Sequence, residues 1–443
     1  MACEQVTLQD VCELIVDCPH TSAKDEGVGY PLIRTPNVGR GRLILTDVHR
    51  VSQDVYERRV SRAVPRQGDL ILAREAPAGN VAIVSPGIEV CLGQRTMLLR
   101  PDSSFVVPEY LNYYLNAPEQ RDRMLRLANG ATVSHINVAD IRNMPVQLPS
   151  RGEQSKVAEL LNVLDDKIDL NNRLNDYLAD FASTVFQNQA SHIEERIALF
   201  DIADIKYGKG LAKNELVEDG YPVFGGNGQI GFYSKYLYEE PQILISCRGA
   251  ASGKVLVSLP KSFITSNSLI IELKDRRYYE YLKQYFMLHQ LYDYATGSAQ
   301  PQITIDGLRH LTVPYPPFDL IKTLTNQLKA ISDCIYSNDI ENQALSRLRD
   351  TLLPKLMSGE IDVSKVDLTQ LTNNHLSGCG SFCSVCCPSG LASVFHEWFR
   401  EHFSLVTVTY AKQIWDGRIC PKDTKEEESC RLVVTVIEVG SKN

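Results

Sequence analysis

NGATVSHINVADIRNMPVQLP, Asn129–Pro149, recurs as TGSAQPQITIDGLRHLTVPYP, Thr296–Pro316, at an offset of 167 residues. Aligned without a gap, the two stretches pair Gly130 with Gly297, Ile136 with Ile303, Arg142 with Arg309 and Val146 with Val313. The same register runs on to Phe186 and Leu353. Upstream, with the changes of offset expected of loops, AREAPAGNV (Ala73–Val81) matches CRGAASGKV (Cys247–Val255), and YPLI (Tyr30–Ile33) matches YPVF (Tyr221–Phe224). The chain is therefore two copies of one unit, followed by an unmatched tail.

Each copy changes period part-way. Its first part holds short β-like runs such as DLILA, VAIVS, QILIS, KVLVS and SLIIEL between Gly, Pro and Asn turns, with helices ahead of the matched block. This predicts a mixed α/β globular domain. Its second part is helical. Val157, Leu161, Leu164, Ile168, Asn171, Asn175, Leu178, Ala182 and Val185 recur at steps of four and three. Leu324, Leu328, Ile331, Ile335, Asn338, Asn342, Leu345, Arg349 and Leu352 repeat the pattern. Such a seam needs a partner, and two seams in one chain predict an antiparallel coiled coil between two similar domains. Asn171, Asn175, Asn338 and Asn342 fall on that seam, where buried amides lower stability but penalise slipped registers.

The resulting division is a first domain over 1–150, a central helix over 151–190, a second domain over 191–318, a closing helix over 319–362 and a tail over 363–443. With 44% hydrophobic residues in 443, each domain can bury a core. The N-terminus is acidic and lacks a sustained apolar run, which predicts a cytoplasmic chain without a membrane span. Cys3, Cys12, Cys18, Cys91, Cys247 and Cys334 are scattered, unlike a disulfide framework, and are expected to be reduced.

A net charge of −8 does not advertise a phosphate-binding surface, but its distribution matters. Residues 1–150 hold 16 Lys and Arg against 17 Asp and Glu, and residues 191–318 hold 13 against 14, so the acidity is concentrated in the helices. Fifteen of the 16 cations in the first domain are Arg, the residue suited to bidentate contacts.

Three inviting motifs fail on context. FGGNGQIGFYSKY (Phe224–Tyr236) spells G-x-G-x-x-G, yet no helix period follows it to receive a pyrophosphate, and a hairpin turn fits better. RGAASGKV has one residue too few for a phosphate loop, and Val255 stands where a magnesium-binding hydroxyl is needed. YPPF (Tyr315–Phe318) begins with Tyr, which lacks the amide or carboxylate an amino-methyltransferase site uses, and reads as a Pro linker. No Ser/His/Asp or Cys/His nucleophile set and no paired acid/base motif remains, so the chain reads as a binding module without a catalytic site.

Taken together, the duplicated order, the G-x-x-x-x-x-I-x-x-x-x-I/L-R block before a Pro, the helix EQSKVAELLNVLDDKIDLNNRLNDYL and the closing LRDTLLPKLMSGEI resemble type I restriction–modification specificity (S) subunits over roughly residues 5–361. The resemblance implies a non-catalytic subunit with two target recognition domains. Each would read half of a bipartite, asymmetric site in double-stranded DNA, the gap being fixed by the coiled coil. It implies two methyltransferase (M) subunits and restriction (R) subunits as partners, with S-adenosylmethionine, ATP and Mg on those partners and no cofactor in this chain.

Loop residues are the candidates for DNA contact, because similar scaffolds with unlike loops can read unlike half-sites. In the first domain these are Arg34, Asn37, Arg40, Arg74 and Asn80, then Gln94, Arg95, Thr132, Ser134 and His135. In the second they are Tyr207, Lys209, Asn227, Arg248 and Lys254, then Asn267, Ser298, Gln300 and Gln302. Arg74 and Arg248 align with each other, which favours a shared phosphate or scaffold role over base choice. Arg142 and Arg309, also aligned, are expected to anchor each domain to the coil.

The tail departs from the family pattern. Cys379, Cys383, Cys386 and Cys387 form a crowded C-x3-C-x2-C-C cluster, a weak candidate for zinc or an iron–sulfur cluster. Two further readings therefore stay open: an orphan or disabled S protein that binds DNA only, and a metal-dependent enzyme using these cysteines.

Overall fold

The computed structural model describes residues 4–75, 77–128, 135–190, 192–297 and 300–363. They divide into two compact units: one holds 4–171 with 340–363, the other 172–339. The division falls inside the two long helices, Arg151–Ala190 and Phe318–Met357, so each unit owns a half of both.

The repeat read in the sequence is a repeat of topology. In the first unit the strands Cys12–Asp17, Thr96–Pro101, Leu70–Ala73 and Val81–Ile83 form a sheet in that spatial order, with the short Gly41–Arg42 strand beyond. In the second, Ala203–Tyr207, Ser268–Leu273, Ile243–Ser246 and Val255–Val257 repeat the order. A smaller sheet carries a parallel pair in each copy: Tyr30–Ile33 with Cys91–Leu92, and Tyr221–Gly225 with Phe263–Ile264. The matched block supplies Pro145–Leu148 and Thr312–Pro314, which pair with Glu4–Thr7 and Arg196–Ala198.

Runs such as Leu70–Ala73 and Ile243–Ser246 are buried along their whole length, as the apolar stretches Leu70–Ala73 and Ile243–Ile245 require of central strands. Each core then recruits its helix halves. Leu8, Leu70, Leu99, Tyr110 and Leu111 pack in one cluster with Val157, Leu161, Leu353 and Leu356. Ile245, Leu269, Tyr281 and Phe286 pack with Phe181, Val185, Leu324 and Leu328. Full burial of each such side chain contributes roughly 1.5–3 kcal/mol, so the helix halves are integral to each domain.

In both units the helix halves run antiparallel. Asn171 Nδ2 donates to Asn342 Oδ1 at 2.9 Å and to Glu341 Oε2 at 2.8 Å, while its own Oδ1 accepts from Lys167 Nζ at 2.9 Å. In the other unit Asn175 Nδ2 donates to Asp339 Oδ1 at 2.8 Å, and Asn338 Nδ2 donates to Asn175 Oδ1 at 2.7 Å. All four predicted Asn thus meet across the seam. Nearer its end the seam departs from the heptad reading: Leu353 and Leu356 are buried, Leu352 is half-buried, and Arg349 pairs with Asp165 at 2.8 Å.

The three motif rejections hold. The glycine motif is the antiparallel hairpin Tyr221–Gly225/Gly228–Tyr233. A Cβ on Gly226 would come within 2.9 Å of Ser246 Oγ, so that glycine answers to close packing, and Gly228, at φ +125°, serves the turn. RGAASGKV joins the antiparallel strands Ile243–Ser246 and Val255–Val257, with no helix after it. Tyr315 stacks on Tyr278, ring centroids 4.0 Å apart, just before the second long helix begins at Phe318.

One expectation is corrected. Arg142 Nη2 donates to the Ile15 carbonyl at 3.1 Å, and Arg309 pairs with Asp306 at 2.9 Å in solvent, so neither anchors a helix. Cys18, Cys91, Cys247 and Cys334 are buried free thiols, and burial pushes Cys91 up to about 11 and the half-buried Cys12 up to about 12. Among the described residues no helix is long and apolar enough to cross a membrane.

Candidate nucleic-acid interface

The strand ends Ala73 and Thr96 of the first unit lie side by side, and the loops that leave them bring candidate residues together. His20, Arg74, Glu75, Gln94 and Arg95 line an open concavity of about 220 Å³. Arg74 forms its floor. Its Nη1 pairs with Asp17 Oδ1 at 2.6 Å and its Nε donates to the Ile136 carbonyl at 2.9 Å, so this cation is committed to the scaffold. Above it, Arg95 is half exposed, its Nε 2.9 Å from Glu75 Oε2. Gln94 Nε2 donates to the His20 carbonyl at 3.1 Å, and His135 joins through a backbone bridge to Glu75.

Backbone hydrogen bonds locate the same points in the second unit. Arg74 N donates to Arg95 O and Arg74 O accepts from Ile136 N; Cys247 N donates to Asn267 O and Cys247 O accepts from Ile303 N. Cys247 is therefore the counterpart of Arg74, and Asn267 that of Arg95. The next residues, Glu75 and Arg248, bridge to His135 and Gln302 respectively. The sequence pairing of Arg74 with Arg248 is thus one residue out of register, and the shared role expected of them falls with it. Offsets between the copies are 173 along Leu70–Ala73 but 174 along Val81–Ile83, so the intervening loop absorbs one residue. Glu75, missed in the sequence, could have been found only through this register.

The other candidates separate into structural and free groups. Asn37 is buried, accepting from Arg34 N at 3.2 Å and donating to Ile44 O at 3.2 Å. Half-buried Asn80 donates to Val38 O at 3.1 Å, so both amides hold loops and are not available to a ligand. Arg34 is partly buried against Gly93. Arg40 is exposed and faces a second cation: burial and then Arg40 push the Arg121 guanidinium down. In the second unit Tyr207, Lys209, Arg248, Asn267, Gln300 and Gln302 are exposed, and Lys254 Nζ donates to Asn227 Oδ1 at 3.0 Å. Lys209 O accepts from Ser266 N, which fixes Lys209 beside the Asn267 loop.

Thr132, Ser134 and Ser298 lie outside the described residues, as do Cys379, Cys383, Cys386 and Cys387. Among the described residues no three His, Cys, Asp or Glu side chains gather as a metal site would require. What the arrangement offers a ligand is hydrogen-bonding side chains on rigid strand ends, with a different set in each copy.

The type I restriction modification DNA specificity domain matches residues 2–179 and again 195–348. Among curated proteins, the type I restriction enzyme MjaIX specificity subunit of Methanocaldococcus jannaschii is 23% identical over 366 residues, covering 72% of this chain and 84% of its own. The putative MjaX specificity subunit of the same organism is 24% identical over 396 residues, covering 80% and 93%. Among solved structures, a type I restriction–modification S subunit from M. genitalium aligns at 19% identity and a TM-score of 0.48, covering 80% of this chain and 96% of that one.

Proposed function

Because the chain belongs to the type I restriction modification DNA specificity family, we propose that it selects the DNA sequence for a type I complex by reading a bipartite, asymmetric site, one unit to each half. Adenine methylation and cleavage fall to M and R partner subunits. S-adenosylmethionine, ATP and Mg belong to those partners. The chain itself contributes hydrogen-bonding groups and a scaffold, and no step of the chemistry.

The observation that carries this reading is the repetition of one sheet order with unlike side chains at equivalent loop positions. A duplicated scaffold with identical loops would read two identical half-sites. Unlike loops read unlike halves, and the site then has no two-fold symmetry. Near-neutral domains can serve, because specificity comes from base-edge contacts and phosphate contacts mainly set position.

Exchange of residues 1–150 for the corresponding domain of another S subunit tests this in a complex with its methyltransferase partner. One half of the methylated motif should change and the other should stay. A motif that changes in both halves, or in neither, contradicts the assignment of one half to one unit.

A further inference from the structure

Resting on that reading, we infer that the quartet Glu75, Gln94, Arg95 and His135, partly or fully exposed, sets the base preference of the first half-site, and that Arg248, Ser266, Asn267 and Gln302 set that of the second. The two quartets occupy the same backbone positions. Ala73 pairs with Thr96 and Ser246 with Ser268 in matching strands, and Gln94–Arg95 and Ser266–Asn267 immediately precede those partners. Glu75 and Arg248 bridge to His135 and Gln302 in matching geometry.

What differs is chemistry, and it differs in a definite way. The first unit has its cation on the loop before Thr96 and a carboxylate on the loop after Ala73. The second has its cation on the loop after Ser246 and an amide on the other. Of the positions beneath, Ile136 and Ile303 stay alike and fully buried, while Arg74 gives way to Cys247. A phosphate contact carries no sequence information and gains nothing from moving between copies, whereas a base contact must change if two different sequences are read. Arg matches the guanine edge, while Asn and Gln match adenine.

Arg95 carries a second mark. It is a non-glycine residue at φ +67°, a conformation costly for a long side chain and kept where the surroundings impose it. The Glu75 carboxylate holds its Nε while the side chain remains 51% exposed. The guanidinium is thereby pre-positioned at the rim of the concavity over the partly buried Asp17–Arg74 pair.

The test maps N6-methyladenine in cells that express the full chain, or its Arg95→Ala or Arg248→Ala variant, with the methyltransferase partner. Each variant should relax a single position in one half of the motif, the two variants in opposite halves, with discrimination there falling roughly 5- to 150-fold. Arg95→Lys and Arg248→Lys, which keep the charge and lose the fork, should relax the same positions. If the wild-type motif is clear but the variants methylate the same motif more weakly at every site, the arginines are phosphate contacts or structural, and the inference is overturned while the proposed function stands. If the wild type itself confers no motif, the proposed function fails, and this inference with it.

Discussion

Asp165 lies one place past the seam residue Leu164, where a heptad reading leaves it in water, yet it is only 4% exposed. Its Oδ1 pairs with Arg349 Nη1 at 2.8 Å, and its Oδ2 accepts from the Tyr113 hydroxyl at 2.7 Å. Burial, then the Asp165 charge, push the Tyr113 hydroxyl far above its ordinary range, which keeps it a donor. Arg349 also explains an oddity of the repeat, a cation aligned with Ala182 on the seam: it answers a carboxylate that its own unit buries. Removing one partner of such a pair costs roughly 3–5 kcal/mol, and with Arg349 still partly exposed, Arg349→Met should destabilise by about 3 kcal/mol in urea unfolding. The Asp165→Leu/Arg349→Met double variant should recover part of that loss. An unchanged midpoint in the single variant would show the pair to be idle.

At the scale of the helices, the Asn residues form a second polar break in the seam, apart from the Asp165–Arg349 pair. Asn171→Ala removes one hydrogen bond from each of Asn342, Glu341 and Lys167 and should cost about 1–3 kcal/mol. Asn171→Leu with Asn342→Leu should raise the melting temperature, because a packed apolar layer replaces a merely satisfied polar one. A fall in both variants would place the stabilising role of the layer above its register role. Asp339 adds a pH signature. Burial raises its carboxyl above the ordinary 3.8, with the Asn175 amide pulling the other way. A raised folded-state value means stability present below the unfolded value and lost as pH rises through the folded one. Asp339→Asn should therefore melt higher than the wild type at pH 7, with the gap narrowing as the pH falls towards 4 in paired melting curves. A gap constant with pH would contradict the burial of that charge.

For the whole molecule, the sequence made the duplication legible because the matched block and both helices run in one register, and a long period-3.5 pattern has few alternative readings. The hairpin at Gly225–Gly228 was legible too, since the missing helix after it excluded the nucleotide motif. What was not legible were contacts that depend on register in three dimensions. Arg74 and Arg248 look equivalent in a linear alignment, but a one-residue difference in loop length puts Cys247 on the floor and Arg248 at the rim. Asn37 and Asn80, polar loop residues like the rest, are used internally, the first to hold its own loop and the second to tie its loop to Val38. Loop composition alone does not separate a ligand-facing amide from one that satisfies a backbone carbonyl.

The central claim is that this chain, by its two unlike units, chooses the DNA that a partner modifies. The most direct measurement is a genome-wide map of N6-methyladenine in cells carrying the candidate methyltransferase subunit, with and without this gene. A split, asymmetric motif methylated only when the gene is present is the predicted result. If no methylation depends on the gene while the same methyltransferase is active with another S subunit, the claim is contradicted.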